Sequence, residues 1–322
     1  MSDNPSLTFY FLDEPQPGVK WEAFYQRMLP AYQRWYFAST GLPRPNYRTC
    51  NQQFKKYFPE LIPFYETMLK LAGDTDFAAR LLSFYTPPPY LTACSQVVCL
   101  NENPALLRNY DYVPHLFEGV IWKTNWLQPV IYVSDCLWGA LDGINASGLC
   151  LSLAFGGSKA IGKGFGIPII LRYVLETCST TQQAIEILSK IPTHMAYNIT
   201  IIDAHNQYVT LFLHPNNKIV ITKNQIATNH QQTIEWEKYN DLTQSTQRFD
   251  TLQHTLNKST PNTLLKALLK PPLFVSNKNK NYFTLYTSVY YPQKQEAHYH
   301  WLNKQISLSF NDFKEAEIPI NL

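Results

Sequence analysis

The feature that most limits how this chain can fold is a change of pattern at three consecutive prolines, Pro87 to Pro89. Before them, from Trp21 to about Phe84, apolar and aromatic residues recur at helical spacing. After them come short runs rich in valine, isoleucine, leucine and aromatic residues, divided by polar turns. We therefore predict three or four helices first, and then a region built mainly from strands.

The region after the prolines predicts strands on either side of a helical segment. The sequence GFGIPIILRYVLETCSTTQQAIEILSKI predicts two consecutive helices, and a polar helical stretch follows from about Thr243 to Leu269. This order of elements favours an α+β fold in which two sheets lie between layers of helices, behind a helical N-terminal segment. The predicted strands cover residues 94–100, 105–112, 130–136, 137–144, 149–155, 198–203, 208–214, 218–222, 282–292 and 298–303.

Charge and hydropathy exclude several classes of protein. The net charge of +3 comes from 27 basic and 24 acidic residues spread along the chain, which argues against a nucleic-acid partner. The N-terminus carries early acidic residues and no long apolar run, so it does not resemble a secretory signal, and we expect a cytoplasmic protein. The best apolar segment is interrupted by Pro168, Arg172 and Glu176, well short of the roughly 20 residues of a membrane span.

The cysteines and glycines give no sign of a metal or cofactor. No CxxC pair or histidine cluster is present, and the glycines between 156 and 166 lack the spacing of a phosphate-binding loop. We predict no cofactor and no metal, and mostly reduced, buried thiols. The six cysteines are Cys50, Cys94, Cys99, Cys136, Cys150 and Cys178.

Cys94 has the most informative surroundings of the six. It begins a predicted strand directly after the helical segment, and the next strand ends at Asp111, close to Arg108. If the bond between Ala93 and Cys94 were cut, Cys94 would carry both a thiol and an α-amine with an unperturbed pKa of about 7.7–8.0. One residue would then supply a nucleophile and a base. Two plainer interpretations are a buried filler cysteine and a structural ion pair between Asp111 and Arg108.

Several blocks of sequence carry a family resemblance. ACSQVV followed by LLRNYDY resembles the start of the mature chain in amino-terminal-nucleophile (Ntn) cysteine hydrolases. GALDGINASGLCLSLAFGG, the helix pair and IATNHQQTIEW are similar to blocks of the penicillin acyltransferase-like branch, in the same order. The resemblance extends from Cys94 to about Trp301, and residues 1–93 resemble the prosegment of that branch. Choloylglycine hydrolases and penicillin V acylases are more distant relatives.

The resemblance implies a four-layer αββα fold, with a prosegment at 1–93 and a catalytic domain at 94–322. It also implies self-cleavage at Ala93–Cys94 and acyl transfer from a small-molecule amide through an acyl-enzyme on Cys94, with the prosegment able to stay bound. By the matching motifs, Asp111 would orient the cysteine and Asn229 would help to bind the oxyanion. Arg108 matches an arginine of the bile-salt and penicillin V enzymes. We favour hydrolysis over transfer, because water is always present as the acceptor.

Other interpretations remain open from the sequence. One is a Cys-His hydrolase whose base would be one of four histidines. Another is an uncleaved binding or scaffolding protein on the same fold. Asn229 is also compatible with a turn residue that bonds its own backbone. The histidines concerned are His194, His205, His214 and His230, of which we expect His230 to be structural.

Overall fold

The computed structural model describes residues 5–38, 44–257 and 259–322. The described residues before the prolines form four α-helices, in agreement with the helical periodicity of the sequence. Local signals set their ends, since the Asn46 side chain caps α2 by accepting from the backbone of Thr49. The helices are α1 (Val19–Ala38), α2 (Tyr47–Tyr57), α3 (Ile62–Leu71) and α4 (Asp76–Ser83).

A large sheet contains nine strands. They are β1 (Ser6–Asp13), β4 (Val120–Asn125), β5 (Pro129–Asp135), β6 (Gly139–Asn145), β7 (Cys150–Phe155), β8 (Tyr197–Ile202), β9 (Tyr208–Leu213), β10 (Val220–Thr222) and β16 (Ala316–Asn321). Their spatial order is β10-β9-β8-β7-β6-β5-β4-β1-β16. Neighbours are antiparallel except β1 and β4, which are parallel.

A smaller sheet contains seven strands, six of them in the order β11-β2-β3-β13-β14-β15 with β12 attached to β13. They are β2 (Ala93–Cys99), β3 (Ala105–Tyr112), β11 (Ile226–Ala227), β12 (Ser276–Asn277), β13 (Tyr282–Tyr291), β14 (Glu296–Trp301) and β15 (Lys304–Ser309). The remaining helices are α5 (Ile167–Thr177), α6 (Thr181–Leu188), α7 (Glu237–Thr243), α8 (Ser245–Leu256) and α9 (Pro261–Leu268).

The two sheets are stacked face to face between helices. Gln96 of β2 donates to the Asn198 carbonyl of β8 (3.0 Å), and Ser152 of β7 donates to Gln96 (2.5 Å), so hydrogen bonds join the two inner faces. Helices α5 and α6 cover the outer face of the large sheet, and α8 and α9 cover that of the smaller one. The predicted α+β sandwich with layers αββα is confirmed.

The segment 1–93 differs from the prediction in one respect, because it is not wholly helical. Strand β1 lies inside the large sheet, between β4 and β16. Its sequence SLTFYFLD buries Phe9 and Phe11, which alternate with more exposed positions as expected for a strand with one buried face. The helical pattern of the residues that follow concealed this strand.

The cysteines and the apolar residues of helix α5 lie inside the folded core. All six cysteines are free and buried, as predicted for small core residues. Among the described residues, no helix combines the length and apolar character needed to cross a membrane.

Candidate active site

The alternation of β2 and β3 sorts the predicted site residues onto two faces of the smaller sheet. Cys94 lies opposite Tyr110 and Ala93 lies opposite Asp111 in the antiparallel register. Cys94 and Arg108 face the large sheet, whereas Asp111 faces the layer of α8 and α9. Arg108 and Asp111 are three positions apart, an odd number, so their side chains point to opposite faces. The structural ion pair between them was therefore a wrong interpretation.

On the inner face, Arg108 binds the sulfur of Cys94. Its Nη2 lies 3.1 Å from the Cys94 Sγ, and its Nε donates to the carbonyl of Leu153 (3.0 Å). Its Nη1 forms a fully buried ion pair with Asp142 (2.6 Å) and also donates to the Tyr286 hydroxyl (2.7 Å). The guanidinium is thus fixed from three sides, and one of its nitrogens is directed at the thiol.

Asp142 holds this arginine in place. Besides Arg108, its carboxylate accepts from the hydroxyls of Tyr286 (2.9 Å), Ser288 (3.3 Å) and Tyr290 (2.6 Å). These donors satisfy the buried carboxylate, which pairs with the buried guanidinium of Arg108.

Replacing Asp142 with asparagine should destabilise the protein. The neutral amide no longer offsets the charge of Arg108, and its nitrogen cannot accept a hydrogen bond that one of the two carboxylate oxygens now receives, at a cost of about 1.5–3 kcal/mol. Urea unfolding of D142N against the parent should show this loss. Ser288→Ala, which removes only the longest bond to Asp142, is the matched control and should cost less. Equal stability of D142N and the parent would contradict the role assigned to Asp142.

On the outer face, Arg248 of α8 joins Cys94 to the other predicted residues. Its Nη1 donates to the Cys94 carbonyl (2.8 Å) and forms a fully buried ion pair with Asp111 (3.2 Å). Its Nη2 donates to the Oδ1 of Asn229 (2.6 Å). Asp111 also accepts from the Thr284 hydroxyl (2.6 Å). In the intact chain, Asp111 therefore acts on Cys94 through Arg248.

Asn229 lies directly beside the backbone of Cys94. Its Oδ1 accepts from the Cys94 amide nitrogen (3.0 Å), and its Nδ2 donates to the carbonyls of Phe155 (3.1 Å) and, more weakly, Thr92 (3.4 Å). The backbone nitrogen of Asn229 donates to Ser245 at the start of α8 (2.7 Å). These contacts do not fit the turn-residue interpretation, because the side chain bonds distant segments.

Burial dominates the electrostatics of the site. The Cys94 side chain has no exposed surface, and burial raises the pKa of its thiol, although Arg108 acts to lower that pKa. Burial likewise raises the pKa of Asp111, against the opposing effects of Arg248 and Thr284. In the intact chain, the thiol is therefore protonated at neutral pH and closed off from solvent.

The histidines do not join the site. Among the described residues, Arg108 alone hydrogen-bonds the sulfur of Cys94. His230 contacts Thr228 and Ser245, and burial lowers its pKa. His194 contacts the carbonyl of Gly162. The Cys-His arrangement therefore has no geometric support here.

The structure thus brings together all four predicted residues and adds two that the sequence did not suggest. Cys94, Arg108 and Asn229 meet at one point, and Asp111 joins them through Arg248. Arg248 lies in a polar helix without a recognisable motif. Asp142 lies within GALDGINASG, which belongs to one of the blocks that carry the family resemblance. Its charge inside an otherwise apolar predicted strand was the sequence signal that could have identified it.

Most of this chain matches the model of a known protein family. A family model described as acyl-coenzyme A:6-aminopenicillanic acid acyl-transferase matches residues 99–305. The match begins just after Cys94 and includes Arg108, Asp111, Asn229 and Arg248. A search of curated proteins found no match.

Several solved structures are similar at low sequence identity. Penicillin V acylase from Agrobacterium tumefaciens is 14% identical with a TM-score of 0.48, covering 71% of this chain and 91% of its own. A mutant conjugated bile acid hydrolase from Clostridium perfringens is 12% identical with a TM-score of 0.47, covering 71% and 97%. The Caenorhabditis elegans ortholog of N-acylethanolamine-hydrolyzing acid amidase is 16% identical with a TM-score of 0.45, covering 70% and 100%.

Proposed function

Because this chain belongs to the acyl-coenzyme A:6-aminopenicillanic acid acyl-transferase family, we propose that it is an Ntn cysteine amidase that uses Cys94 as its nucleophile. The substrate is a small molecule with a non-peptide amide bond. The acyl group passes to the Cys94 sulfur and is then released to water. The amine of Cys94, freed by cleavage of the bond after Ala93, serves as the base.

One observation carries this proposal: both reactive atoms of Cys94 are held by buried side chains. Arg108 is 3.1 Å from the sulfur, and the Asn229 Oδ1 is 3.0 Å from the nitrogen. A cysteine that only fills space in the core needs neither contact. Burying the charged side chains of Arg108 and Arg248 costs free energy, so their presence beside Cys94 suggests a functional role. The same nitrogen would become the α-amine after cleavage, already positioned beside Asn229.

Self-cleavage requires only the groups of this chain and one water. The Cys94 sulfur attacks the carbonyl carbon of Ala93, forming a carbon–sulfur bond. The carbon–nitrogen bond then breaks, and the thiol proton passes to the departing nitrogen, which becomes the α-amine. Water hydrolyses the thioester to give the carboxylate of Ala93 and the free thiol.

Hydrolysis of the amide would repeat the same chemistry on the substrate. The α-amine takes the thiol proton while Arg108 stabilises the thiolate, and the sulfur attacks the amide carbonyl. The amide carbon–nitrogen bond then breaks, the α-amine passes the proton to the leaving amine, and water hydrolyses the thioester to release the acid and restore the thiol. The charge that develops on the carbonyl oxygen is met by the Nδ2 of Asn229. In the intact chain, that nitrogen also donates a weak hydrogen bond to the Thr92 carbonyl (3.4 Å). Cleavage after Ala93 would loosen this contact and leave the N–H group free for the oxyanion.

We further propose that residues 1–93 remain bound after cleavage. Strand β1 contributes backbone hydrogen bonds to two neighbours in the large sheet. Side chains also cross the cleavage boundary: the Trp21 indole donates to the Leu137 carbonyl (3.0 Å), and the Trp138 indole donates to the Leu82 carbonyl (2.9 Å). Withdrawal of the segment would break all of these contacts and expose apolar surface.

Asp111→Asn should lower turnover more than stability. The neutral amide weakens the ion pair with Arg248, which then holds the Cys94 carbonyl and Asn229 less firmly. Loss of a charged hydrogen bond corresponds to about a 10- to 100-fold fall in kcat. Steady-state kinetics of the processed variant measure this fall, and KM should change little.

Asp203→Asn is the matched control for Asp111→Asn. Asp203 is also buried and accepts three backbone hydrogen bonds, but they hold a turn and the start of α6. This variant should lose stability and keep its kcat. A large fall in melting temperature with unchanged kinetics in Asp111→Asn would instead make Asp111 a purely structural residue.

Trapping the acyl group tests the reaction itself. Wild-type enzyme is incubated with a library of small amides, quenched in acid and examined by mass spectrometry for an acyl adduct on the peptide that begins at Cys94. Release of free acid indicates hydrolysis, whereas its replacement by a new amide when an amine is added indicates transfer. A chain that stays intact and forms no adduct would favour the binding or scaffolding alternative.

A further inference from the structure

A cavity lies between helix α1 of the N-terminal segment and the strand that neighbours Cys94. Its volume is about 110 Å³, and it is partly open to solvent. Thr92 and Tyr110 form part of its wall, and they are respectively two positions before Cys94 and directly opposite it. Cys94 itself is not part of the wall, so a molecule in this cavity would be separated from its sulfur by these neighbouring residues. The cavity draws its walls from both sides of the Ala93–Cys94 bond.

Aromatic rings form most of the wall. Trp35 lies edge-on to Tyr32 (5.9 Å between centroids) and to Tyr90 (6.2 Å). Tyr110 and Tyr112 form a second pair at 5.8 Å. The Tyr90 hydroxyl is buried and lacks a hydrogen-bond partner among the described residues. Rings in such an array present negative faces, which attract cations.

The wall of the cavity contains a carboxylate, that of Asp135, with hydrogen-bond donors at only one of its two oxygens among the described residues. Asp135 accepts through Oδ1 from the Cys136 nitrogen (3.0 Å), and the Tyr32 hydroxyl, which donates to Glu118, lies 3.5 Å from the same oxygen. Among the described residues, no donor reaches its Oδ2, and none of those that line the cavity is lysine or arginine. Glu118 lies behind Asp135, buried, and its carboxylate accepts from Tyr32, Ser134 and Leu137.

The carboxylates of Asp135 and Glu118 repel each other when both are ionised. Burial and the neighbouring Glu118 raise the pKa of Asp135 to about 7. Arg27 acts to lower the pKa of Glu118, but its guanidinium is stacked on Tyr10 and makes no ion pair with either carboxylate. A cation in the cavity would supply the missing counter-charge.

We propose that this cavity binds a cationic group of the substrate, an ammonium or quaternary ammonium, against Asp135 and between the aromatic rings. The inference rests on the proposed amidase function, since it names the class of amide that the enzyme selects. A purely apolar acyl chain would fit the rings but would leave the carboxylates without a counter-charge. Asp135 would then set specificity and take no part in bond making.

Binding to a variant that cannot react tests this inference separately from the function. The full chain with Cys94→Ala is titrated at pH 8, where Asp135 is ionised, with choline and with its uncharged isostere 3,3-dimethylbutan-1-ol. Calorimetry gives both dissociation constants. Choline should bind about tenfold more tightly than the isostere, from cation–π and charge contributions together.

Adding Asp135→Asn should remove the preference for choline and leave the affinity for the isostere unchanged. Asp135→Ser serves as a second variant if the asparagine does not fold, and Asp312→Asn, on an exposed loop, is the matched control. Equal affinities for the two probes in the parent, or no detectable binding of either, would overturn the inference. So would an unchanged preference in the Asp135 variants. Hydrolysis of neutral amides alone would leave the amidase function intact and remove only the cationic substrate class.

Discussion

Cys94→Ala should remain a single chain of 37.3 kDa, whereas the parent should yield fragments 1–93 and 94–322. The methyl group of alanine cannot attack the Ala93 carbonyl, so the bond stays intact. Turnover should fall to background, because the Cys94 sulfur is also the nucleophile that we propose for the substrate. Intact-mass spectrometry of freshly purified protein, together with N-terminal sequencing of any fragment, measures the first effect, and an amide hydrolysis assay measures the second.

Cys99→Ala is the matched control for this variant. Cys99 lies in the same strand and is equally buried, but within the described part of the chain its sulfur hydrogen-bonds only to the backbone carbonyls of Asn101 and Ser259. It should be processed and should turn over substrate like the parent. Fragments cut before residue 94 in the Cys94→Ala protein would mean that a foreign protease cleaves the chain, and self-cleavage would be excluded.

Asn229→Ala should lower kcat by about 10²–10³ while KM changes little, the usual result of removing one oxyanion donor. The donor acts mainly on the transition state, where the carbonyl oxygen carries most charge. Asn229→Asp should be no better, since a carboxylate would repel the oxyanion. Because Asn229 also holds the nitrogen of Cys94, processing should slow as well, so kinetics are measured on the cleaved fraction.

The control for Asn229 must be another buried asparagine that is remote from Cys94. Asn198 is unsuitable, because its side chain bonds the carbonyls of Thr228 and His230 and so supports the Asn229 loop. Asn145 donates to two carbonyls near the end of α5 and is a better match. Asn145→Ala should lose stability and retain kcat. If it abolishes turnover in a folded, processed enzyme and Asn229→Ala does not, Asn229 is not the oxyanion donor.

Local patterns predicted most of the fold. Strand β3 has the predicted bounds, and the helix pair lies where GFGIPIILRYVLETCSTTQQAIEILSKI indicated it. Strand β1 escaped prediction because its partners, β4 and β16, are distant in sequence, so no turn or hairpin signal marks it. Strand β4 is short and mixed in composition, VIWKTN, and it gave no clear alternation.

The site residues that lie in recognisable sequence motifs were predicted. The residue that reaches the site only through the tertiary fold was not. Cys94, Arg108 and Asp111 lie on two adjacent strands, but the ion pair between Arg108 and Asp111 that we had kept open is wrong, because their odd spacing places the two side chains on opposite faces. Arg248 lies in a helix whose placement against β2 depends on the whole fold. Its contacts with Asp111 and Asn229 could not be inferred without that placement.

The position of β1 beside β16 brings the two ends of the described chain together. The Leu322 nitrogen donates to the Pro5 carbonyl at 3.0 Å, so a short peptide could join them. A circular permutant that begins at Cys94 and ends at Ala93 would then keep every strand in place. Once the initiator methionine is removed, its first residue would be the cysteine with a free amine. Such a gene would encode the activated enzyme directly, and its turnover would be independent of any cleavage step.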